Sequence, residues 1–264
     1  MNNRLKFISP KFFKDYDLAV PNERLTIFKD IKSSKDFNVN DFEFYIVASS
    51  VYSSKIEGNS LDLNSFMRNR NSKSKQKEVK EIEDLVNAYR FASENRLSLS
   101  NFLSALLILS KTLLPKKDQG KIRKHQVGVY DSYSGKPVYI AVEPEFVKQE
   151  LEKLFDDIAI LSARKLSLKE TFYYASMLHL WVAKIHPFAD GNGRAARLLE
   201  KWFLADKTAA FAWSLNSEKY YWDNRSLYYK NISVGFNYYS LNWDRCLPFL
   251  SMLPDSLKDL SISK

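Results

Sequence analysis

The sequence is poor in the residues that build disulfide scaffolds and tight turns. Its 264 residues include a single cysteine, Cys246, which excludes a disulfide framework and any cysteine-based zinc site. We expect this cysteine to be a small buried hydrophobe. Glycine occurs only seven times, well under its usual share of about 7%, and this scarcity argues against an all-β fold with many tight turns.

Long apolar runs are also absent. No stretch reaches the roughly 18 consecutive apolar residues of a membrane span, and residues 1–13 lack the apolar core of a signal peptide. With 45% apolar and 27% charged residues, the composition is that of an ordinary soluble globular protein. We therefore expect a cytoplasmic protein without membrane contact.

Negative charge is in deficit, since 31 Asp and Glu face 40 Lys and Arg and leave a net charge of +9. Over half of this excess lies in residues 68–80, RNRNSKSKQKEVK, where six basic residues and one acidic residue give +5. The run predicts a mobile, solvated loop. A nucleic-acid contact is the alternative, and it is the rarer outcome for such a segment.

Hydrophobic residues recur at helical spacing along most of the chain. Residues 126–142 differ, because β-branched and aromatic residues flank DSYSGKP and predict a β-hairpin with a loop longer than two residues. The expected fold is all-α, mainly helical, with one small β-hairpin. The predicted helices cover roughly residues 41–57, 79–95, 101–114 (nearly all apolar, and so expected to be buried), 145–161, 169–185, 193–206, 217–235 and 243–252.

The segment IHPFADGNGRAARLL carries the clearest chemical signal. Gly191, Asn192 and Gly193 precede a predicted helix, where a permissive backbone and free N–H groups favour the close approach of an anion. Arg194 and Arg197 follow three residues apart, so both can reach the same anion. This pattern predicts a phosphate cradle.

Two further side chains of this segment suit phosphate chemistry. Asp190 precedes the glycines, and a lone carboxylate beside phosphates is a usual ligand of Mg²⁺. His186 can accept a proton near neutral pH. A Walker-type loop is excluded because Gly193 is not followed by Lys and Ser or Thr, and an EF-hand is excluded because its required ligand positions hold other residues.

The run HPFADGNGRAAR resembles the signature of the Fic family, H-x-F-x-[DE]-G-N-G-R-x-x-R, at every specified position. Elsewhere, GKIRKHQVGVYD and KPVYIAVEPEFV resemble the family's arginine-containing segment, its substrate-docking flap and the helix that follows. YYWDNRSLYY also resembles a family segment, so that the resemblance extends over about residues 40–250.

The resemblance implies transfer of AMP from ATP to a Ser, Thr or Tyr hydroxyl of a target protein, with Mg²⁺ as cofactor. It implies modification of the enzyme itself and leaves a homodimer open. The implied roles are a base at His186, a loop anchor at Phe188, a Mg²⁺ ligand at Asp190, binding of the α- and β-phosphates by Gly191, Asn192 and Gly193, and contacts of Arg194 with the β-phosphate and of Arg197 with the γ-phosphate.

A second motif, SSKIEG, begins at Ser53 and resembles the family's inhibitory helix, (S/T)-x-x-x-E-(G/N). Glu57 lies at the end of the helix predicted at 41–57, where a carboxylate is opposed by the helix dipole and needs a cationic partner. The resemblance supplies that partner in Arg197. It therefore implies an N-terminal, intramolecular inhibitor.

Several weaker candidates complete the list. Asn224, Tyr228 and Tyr229 are candidates to line the nucleotide base, and Tyr139 to contact the base or the target. We expect the backbone of residues 138–141 to pair with an extended target peptide. His125 and His179 have no companions at metal-ligand spacing, and we expect them to be structural or exposed.

The expected organisation has three parts: an N-terminal helical region (1–100), a catalytic core (101–212) with the hairpin at 126–142 and the active-site loop at 186–197, and C-terminal helices (213–264) that pack on the core. Three alternatives to AMP transfer remain: removal of AMP with Glu57 orienting a water, use of another nucleotide, and a nucleotide-binding regulator without catalysis. His186 and Asp190 argue against the regulator, since binding alone needs no base. Gly193 disfavours a Doc-type phosphotransferase, whose motif departs from Gly-Asn-Gly.

Overall fold

The computed structural model describes residues 4–33, 39–72, 76–130 and 134–260. In this part of the chain the protein is helical with one two-stranded hairpin, which confirms the expected fold class. The helices are α1 (Phe13–Ala19), α2 (Asn22–Ser33), α3 (Val39–Ile56), α4 (Leu63–Asn69), α5 (Lys77–Glu94), α6 (Leu99–Leu109), α7 (Pro144–Ala163), α8 (Leu168–Ile185), α9 (Asn192–Lys207), α10 (Ser217–Asp223), α11 (Arg225–Ile232), α12 (Leu247–Leu250) and α13 (Met252–Asp255), and the strands are β1 (Gly128–Tyr130) and β2 (Pro137–Ile140).

The sequence predicted α3, α5, α7, α8 and α9 to within two residues at each end. Three other predictions were wrong in extent. The helix predicted at 217–235 is divided at Asn224, whose side chain donates to the Tyr220 carbonyl at 3.0 Å and competes with regular helix formation. The segment 243–252 consists of short helical turns, and Pro248, which has no N–H to donate to the preceding turn, lies in the first turn of α12. The helix predicted at 101–114 ends at Leu109, and Leu107 is 46% exposed, so this helix is buried on one side only.

Helix α8 lies at the centre of the core, with 14 of its 18 residues buried. It begins with a capping box, in which the side chains of Ser167 and Glu170 satisfy each other's backbone N–H groups. Its largest helix–helix contact is with α9. Because a short loop connects these two buried helices, residues 186–191 are held between rigid elements.

Helix α3 packs against α5, α9 and α10. Its side chains Ile46, Val51 and Ile56 are fully buried, whereas Phe44 lies on the exposed face. The chain then leaves the helix through a turn at Glu57 and Gly58, where the backbone of Gly58 adopts a positive φ of 98°. This packing brings the end of α3 to the beginning of α9.

The first described residues are also fixed to the core. The backbone N–H groups of Lys6, Phe7 and Ile8 donate to the carboxylate of Asp157 on α7, each at 2.7 Å. Asp157 is fully buried, and these three bonds compensate its charge.

The predicted hairpin is confirmed, although its strands are shorter than the predicted segment. β1 and β2 are antiparallel, Val129 lies opposite Tyr139, and a bulge follows Val129. The outer edge of β2 is partly covered, because the Ile140 N–H donates to the Phe236 carbonyl at 2.8 Å. The prediction that all of residues 138–141 would be open to a target peptide is therefore wrong at Ile140.

The basic segment 68–80 is not a single loop. Helix α4 extends to Asn69 and α5 begins at Lys77, so that only the residues between them connect the two helices, and 73–75 lie outside the described residues. Within the described ranges, none of the helices combines the length and hydrophobicity that crossing a membrane requires. The three-part organisation and the cytoplasmic location stay predictions.

Candidate active site

His186 has an unusual backbone conformation at the end of α8. Its φ of 51° and ψ of 59° are left-handed, and it is the only residue other than glycine in the left-handed region in the described part of the chain. Such strain persists only where surrounding contacts enforce it, and it is common at active sites. The carbonyl of His186 accepts a hydrogen bond from Nε of Arg123 at 2.7 Å.

The ring of His186 is arranged to accept a proton. Burial lowers its pKa to about 4, and the charges of Arg123 and Lys184 act in the same direction, so the ring is neutral at pH 7. Nδ1 lies 3.3 Å from the Ala183 carbonyl, which can only accept, so Nδ1 carries the proton. Nε2 is then the acceptor of the ring.

The loop after His186 is held by a reciprocal pair of hydrogen bonds. Oδ1 of Asn192 accepts from the Phe188 N–H and its Nδ2 donates to the Phe188 carbonyl, both at 2.9 Å. The Phe188 ring is buried and lies against Phe102. These bonds use Oδ1 and one of the two N–H groups of Nδ2, so the second N–H of Nδ2 and the backbone N–H remain as donors for a phosphate.

The start of α9 has the geometry expected of the predicted anion site. Gly191 has a φ of 82°, and a Cβ at this position would approach Leu113 and Leu109 to 3.1 and 3.3 Å. The first N–H groups of a helix have no partner within the helix and point toward an incoming anion. The exposed Asp190 lies directly before them, and its Oδ1 accepts the Gly191 N–H at 2.6 Å.

Asp190 is the one carboxylate of the predicted loop, and the described residues contain no group of three His, Cys, Asp or Glu side chains that could hold a metal. Mg²⁺ often takes only one or two protein carboxylates and completes its coordination with phosphate oxygens and water. A lone carboxylate beside a phosphate cradle therefore fits Mg²⁺ bound together with a nucleotide.

Arg194 is buried with incomplete partners. Its Nη2 lies 3.9 Å from Oε2 of Glu81, while Nε and Nη1 are buried without a hydrogen-bond partner among the described residues. Buried donors left unpaired are costly, typically by about 1–3 kcal/mol. These donors are consistent with a site that is completed by an anionic ligand.

Arg197 is fully buried and held from two sides. From α3, Ser53 accepts from Nε through its hydroxyl at 2.8 Å and from Nη2 through its carbonyl at 3.0 Å. From α11, the Tyr228 hydroxyl accepts from Nη1 at 3.1 Å. Nη2 also donates to Oε1 of Glu57 at 2.7 Å. The guanidinium group is thus fixed even without Glu57.

The carboxylate of Glu57 lies over the start of α9. A Cβ added to Gly193 would lie 2.1 Å from Oε1 of Glu57, so a side chain at this position would exclude the carboxylate. Burial raises the pKa of Glu57, but the charge and hydrogen bond of Arg197, with a contribution from Arg194, hold it below its usual range. Glu57 is therefore an anion bound in the predicted cradle.

A buried network continues behind Arg197. Nε2 of His179 lies 2.9 Å from the Tyr228 hydroxyl, and its Nδ1 lies 2.8 Å from Oε2 of Glu200. Glu200 also accepts from Tyr221 at 3.0 Å. This arrangement makes His179 a buried structural residue, as expected, and directs the Tyr228 oxygen toward Arg197.

Residues 99–204 match the family model of the Fic/DOC family. Over these residues the chain is similar to the Fic/DOC family. The chain is 33% identical over 129 residues to protein adenylyltransferase fic-1 of Caenorhabditis briggsae, and the match covers 47% of this chain and 24% of that protein. The matched region thus spans about a quarter of the length of that curated relative.

Solved structures share the fold. A Fic family protein from Desulfovibrio desulfuricans superimposes with a TM-score of 0.77 at 20% identity, covering 98% of this chain and 76% of that chain. Fic-1 from C. elegans superimposes with a TM-score of 0.59 at 18% identity, covering 96% and 68% of the two chains. The Fic-type helical fold therefore extends beyond the matched residues.

Two weaker predictions around the Fic/DOC domain do not agree with the structure. Tyr139 is buried, and its hydroxyl donates to the Lys184 carbonyl at 2.6 Å, so it anchors the hairpin on α8 and does not face a base or target. Tyr228 is buried behind Arg197 and cannot line a nucleotide base. In both cases the aromatic ring is packed in the core, which is the commoner fate of such residues.

The other candidates have different positions. Tyr229 is 41% exposed, and its hydroxyl donates to the Ile56 carbonyl at 2.9 Å, beside Glu57. Asn224 is half-buried at the junction of α10 and α11, and its base contact stays a prediction. His125 is exposed, and Cys246 is buried, both as expected.

Sequence reasoning assigned no role to Arg123, Lys201 or Glu218. Arg123 lies in a segment that resembles the family, but its contacts with distant carbonyls depend on the fold. Lys201 and Glu218 form a fully buried ion pair at 2.6 Å. Both helices contain other charged residues, such as Glu200 and Lys219, so the sequence carried no signal that marks this pair as buried.

Proposed function

We propose that the protein is an adenylyltransferase that moves AMP from ATP to a Ser, Thr or Tyr hydroxyl of a target protein, itself included, and that Glu57 restrains this activity by occupying Arg197. The Fic/DOC match and the identity to a protein adenylyltransferase support the reaction class. The observation that carries the proposal is the Glu57 carboxylate lying on the donors of the cradle.

A carboxylate on these donors supports an anion site of the kind that a nucleotide phosphate needs. Glu57 takes one donor of Arg197 and covers Gly193, where the helix N-terminus favours negative charge. Arg194 retains two buried donors without a protein partner in the described residues. Phosphate oxygens can satisfy both arginines through charge-assisted hydrogen bonds.

In the proposed reaction, Nε2 of His186 takes the proton of the target hydroxyl. The hydroxyl oxygen attacks the α-phosphorus, the bond from that phosphorus to the bridging oxygen breaks, and pyrophosphate leaves. Arg194, Arg197 and the N–H groups of α9 balance the charge of the β- and γ-phosphates. Positioning and charge stabilisation then supply most of the catalysis.

Asp190 would hold Mg²⁺ in this scheme. When bound, the ion supplies charge neutralisation on the phosphates. We expect Asp190→Ala to reduce turnover sharply and to change its dependence on Mg²⁺. An unchanged Mg²⁺ titration would exclude Asp190 as the ligand.

Inhibition follows from the use of the same donors by two anions. The γ-phosphate cannot reach its place on Arg197 while Glu57 occupies Nη2 and the space over Gly193. Glu57→Gly removes the competitor, while Ser53 and Tyr228 keep the guanidinium in position. The variant should therefore gain activity without losing its phosphate site.

The test is transfer of label from ATP in the Glu57→Gly variant. Self-labelling from α-labelled ATP should rise at least about tenfold over wild type, which corresponds to about 1.4 kcal/mol. Glu94→Gly is a matched control, because Glu94 is an exposed glutamate at the end of another helix, α5, and should leave labelling unchanged. His186→Ala in the Glu57→Gly background should abolish labelling and retain nucleotide binding.

Other outcomes would identify the alternatives. Label from γ-labelled ATP would indicate phosphoryl transfer, and loss of label from a protein modified beforehand would indicate AMP removal. Nucleotide binding without either reaction would indicate a regulator. Transfer at equal rates in wild type and Glu57→Gly would support the proposed transferase activity and contradict the inhibitory role of Glu57.

A further inference from the structure

Arg123 is a buried arginine whose hydrogen bonds, in the described part of the chain, all go to backbone carbonyls. Its residue exposure is 3%. Nε donates to His186 at 2.7 Å, Nη1 donates to His125 at 2.9 Å, and Nη2 donates to Val142 and, at 3.4 Å, to Ile185. One guanidinium group thus contacts four carbonyls.

These carbonyls belong to two structural units. Ile185 and His186 end α8, whereas His125 and Val142 lie just before β1 and just after β2. The backbone N–H of Arg123 adds a further link by donating to the Pro187 carbonyl at 3.0 Å. Arg123 therefore joins the loop of the proposed base to both ends of the hairpin.

The location is unusual for a buried charge. A buried guanidinium group is ordinarily paired with a carboxylate. Here the charge lies at the carboxyl end of α8, where the helix dipole is negative. Burial lowers the pKa of Arg123, and the hydrogen bonds to four carbonyls compensate part of this desolvation.

The contacts also explain how His186 keeps its left-handed backbone. A positive φ at a residue other than glycine costs about 1–3 kcal/mol unless its surroundings enforce it. Arg123 donates to the carbonyls of Ile185 and His186, which lie before and after the Cα of His186 in the chain. These contacts fix the two peptide planes that set this conformation.

We propose that Arg123 is a positioning residue for the reaction, which holds His186 and the two ends of the hairpin as one rigid unit. The inference rests on the proposed function, because it assigns Arg123 to the base of that reaction. Arg123 does not touch substrate. Its effect reaches the reacting atoms through the direction of the His186 ring and the position of the hairpin beside it.

Arg123→Lys in the Glu57→Gly background is the direct test. Lysine keeps a positive charge but cannot reach four carbonyls from one planar group. We expect kcat for label transfer to fall at least tenfold, while KM for ATP changes less than twofold, because no phosphate contact is lost. Lys124→Ala is the matched control, since Lys124 is an exposed neighbour on the same segment, and it should change neither constant.

A second readout does not depend on transfer. NMR titration of the three histidine rings, with His186 assigned by its absence in His186→Ala, measures the proton affinity of the base. Arg123 and Lys184 lower the pKa of His186, whereas Glu57 raises it. Arg123→Gln should therefore raise this pKa, and Arg123→Lys should leave it nearer to wild type while changing the backbone chemical shifts of residues 185–187.

The results of these experiments distinguish failure of the Arg123 proposal from failure of the proposed function. Equal kcat in Arg123→Lys and its parent, or unchanged backbone shifts at 185–187, would overturn the proposal. Failure of both Arg123 variants to fold would make Arg123 a stabilising residue only and would overturn it as well. Absence of transfer in Glu57→Gly itself contradicts the proposed function, and the NMR measurements then decide the role of Arg123 alone.

Discussion

Helix α9 contributes the cations of two ion pairs, whose glutamates lie after the end of α3 and on α10. The two pairs differ in their exposure to solvent. Arg197 is bonded to Glu57, whose side chain is 29% exposed, whereas the side chains of Lys201 and Glu218 are both fully buried. One turn of helix separates the two cations. Each pair joins a basic side chain of α9 to a glutamate, but the surroundings of the two pairs differ.

The buried pair is complete. The ammonium group of Lys201 donates to Ser49, to the Leu215 carbonyl and to Glu218, each at 2.6 Å, and Glu218 also accepts from Tyr89 at 2.7 Å. All three donors of the lysine are used. This cluster holds α3, α5, α9 and α10 together and has no place for a ligand.

The partly exposed pair has one member that a ligand can replace. Arg197 also donates to Ser53 and Tyr228, and neither of these hydrogen bonds involves Glu57. We infer that α3 stays docked through the Lys201 cluster while only Glu57 and its turn move. The buried pair thus has the contacts of a structural pair, whereas the partly exposed pair is the one to which we assign the proposed inhibitory role.

The largest expected effect is on stability at the buried pair. Lys201→Met leaves the Glu218 carboxylate buried without its cation and should lower the free energy of unfolding by about 3–5 kcal/mol, as measured by urea denaturation. Glu57→Gln, in contrast, should cost about 1 kcal/mol or less, because its pair is partly exposed. Equal losses in the two variants would contradict the distinction.

A double variant sharpens this prediction. Adding Glu218→Gln to Lys201→Met removes the uncompensated charge while keeping an acceptor for the Tyr89 hydroxyl. The double variant should be more stable than Lys201→Met alone. If the losses of unfolding free energy in Lys201→Met and Glu218→Gln simply add in the double variant, the ion pair is not the source of the effect.

The next largest expected effect is the loss of stability when the hydrogen bond that fixes Arg197 from α11 is removed. Tyr228→Phe leaves Nη1 of Arg197 and Nε2 of His179 without their partner, and this should cost about 1–3 kcal/mol of unfolding free energy. Tyr229→Phe is the matched control, because it removes a hydroxyl from an exposed tyrosine of the same helix and should cost less. A larger loss in Tyr229→Phe would reverse the assignment.

A smaller effect on stability is expected in the loop between α8 and α9. His186→Gly and His186→Ala both remove the ring, but only glycine adopts a positive φ without strain. His186→Gly should therefore be more stable than His186→Ala by about 1 kcal/mol in thermal denaturation. Equal stabilities would indicate that the left-handed backbone at His186 is not strained.

The smallest expected effect is the pH dependence of the partly exposed pair. Arg197 holds the pKa of Glu57 below its ordinary value of 4.5, so the folded state binds the proton less readily than the unfolded state. The stabilisation by Glu57 is therefore complete above about pH 5 and is lost as the pH falls through the folded pKa. The difference in stability between wild type and Glu57→Gln should shrink on acidification, and a difference that grows would contradict the ion pair.

The sequence could predict the phosphate cradle because its parts are local. Residues 186–197 form one continuous segment, and binding a phosphate needs glycine, a helix N-terminus and arginines at short spacing. The contact of Glu57 with Arg197 spans 140 residues, so it was accessible only through the family resemblance. The same motif reasoning also predicted the ends of α8 and α9, whose strong periodicity leaves little ambiguity.

Other features depend on packing that the pattern does not specify. Tyr228 and Tyr139 were assigned to ligand contacts, yet both are buried, because exposure of an aromatic residue is decided by its tertiary neighbours. Arg123 was not assigned a role, since its acceptors are backbone carbonyls up to 63 residues away and leave no trace in side-chain identity. The break at Asn224 was missed for the related reason that capping and helix continuation compete at a single residue.

The most direct test of the account is a double-mutant cycle on label transfer from α-labelled ATP, with wild type, Glu57→Gly, Arg197→Ala and the double variant. If Glu57 restrains the enzyme by occupying Arg197, removing Glu57 raises the rate at least about tenfold when Arg197 is present and has no effect when it is absent, which is a coupling of about 1.4 kcal/mol or more. Arg197→Ala alone should not activate, because it also removes the phosphate ligand. An equal gain from Glu57→Gly in both backgrounds would contradict the account.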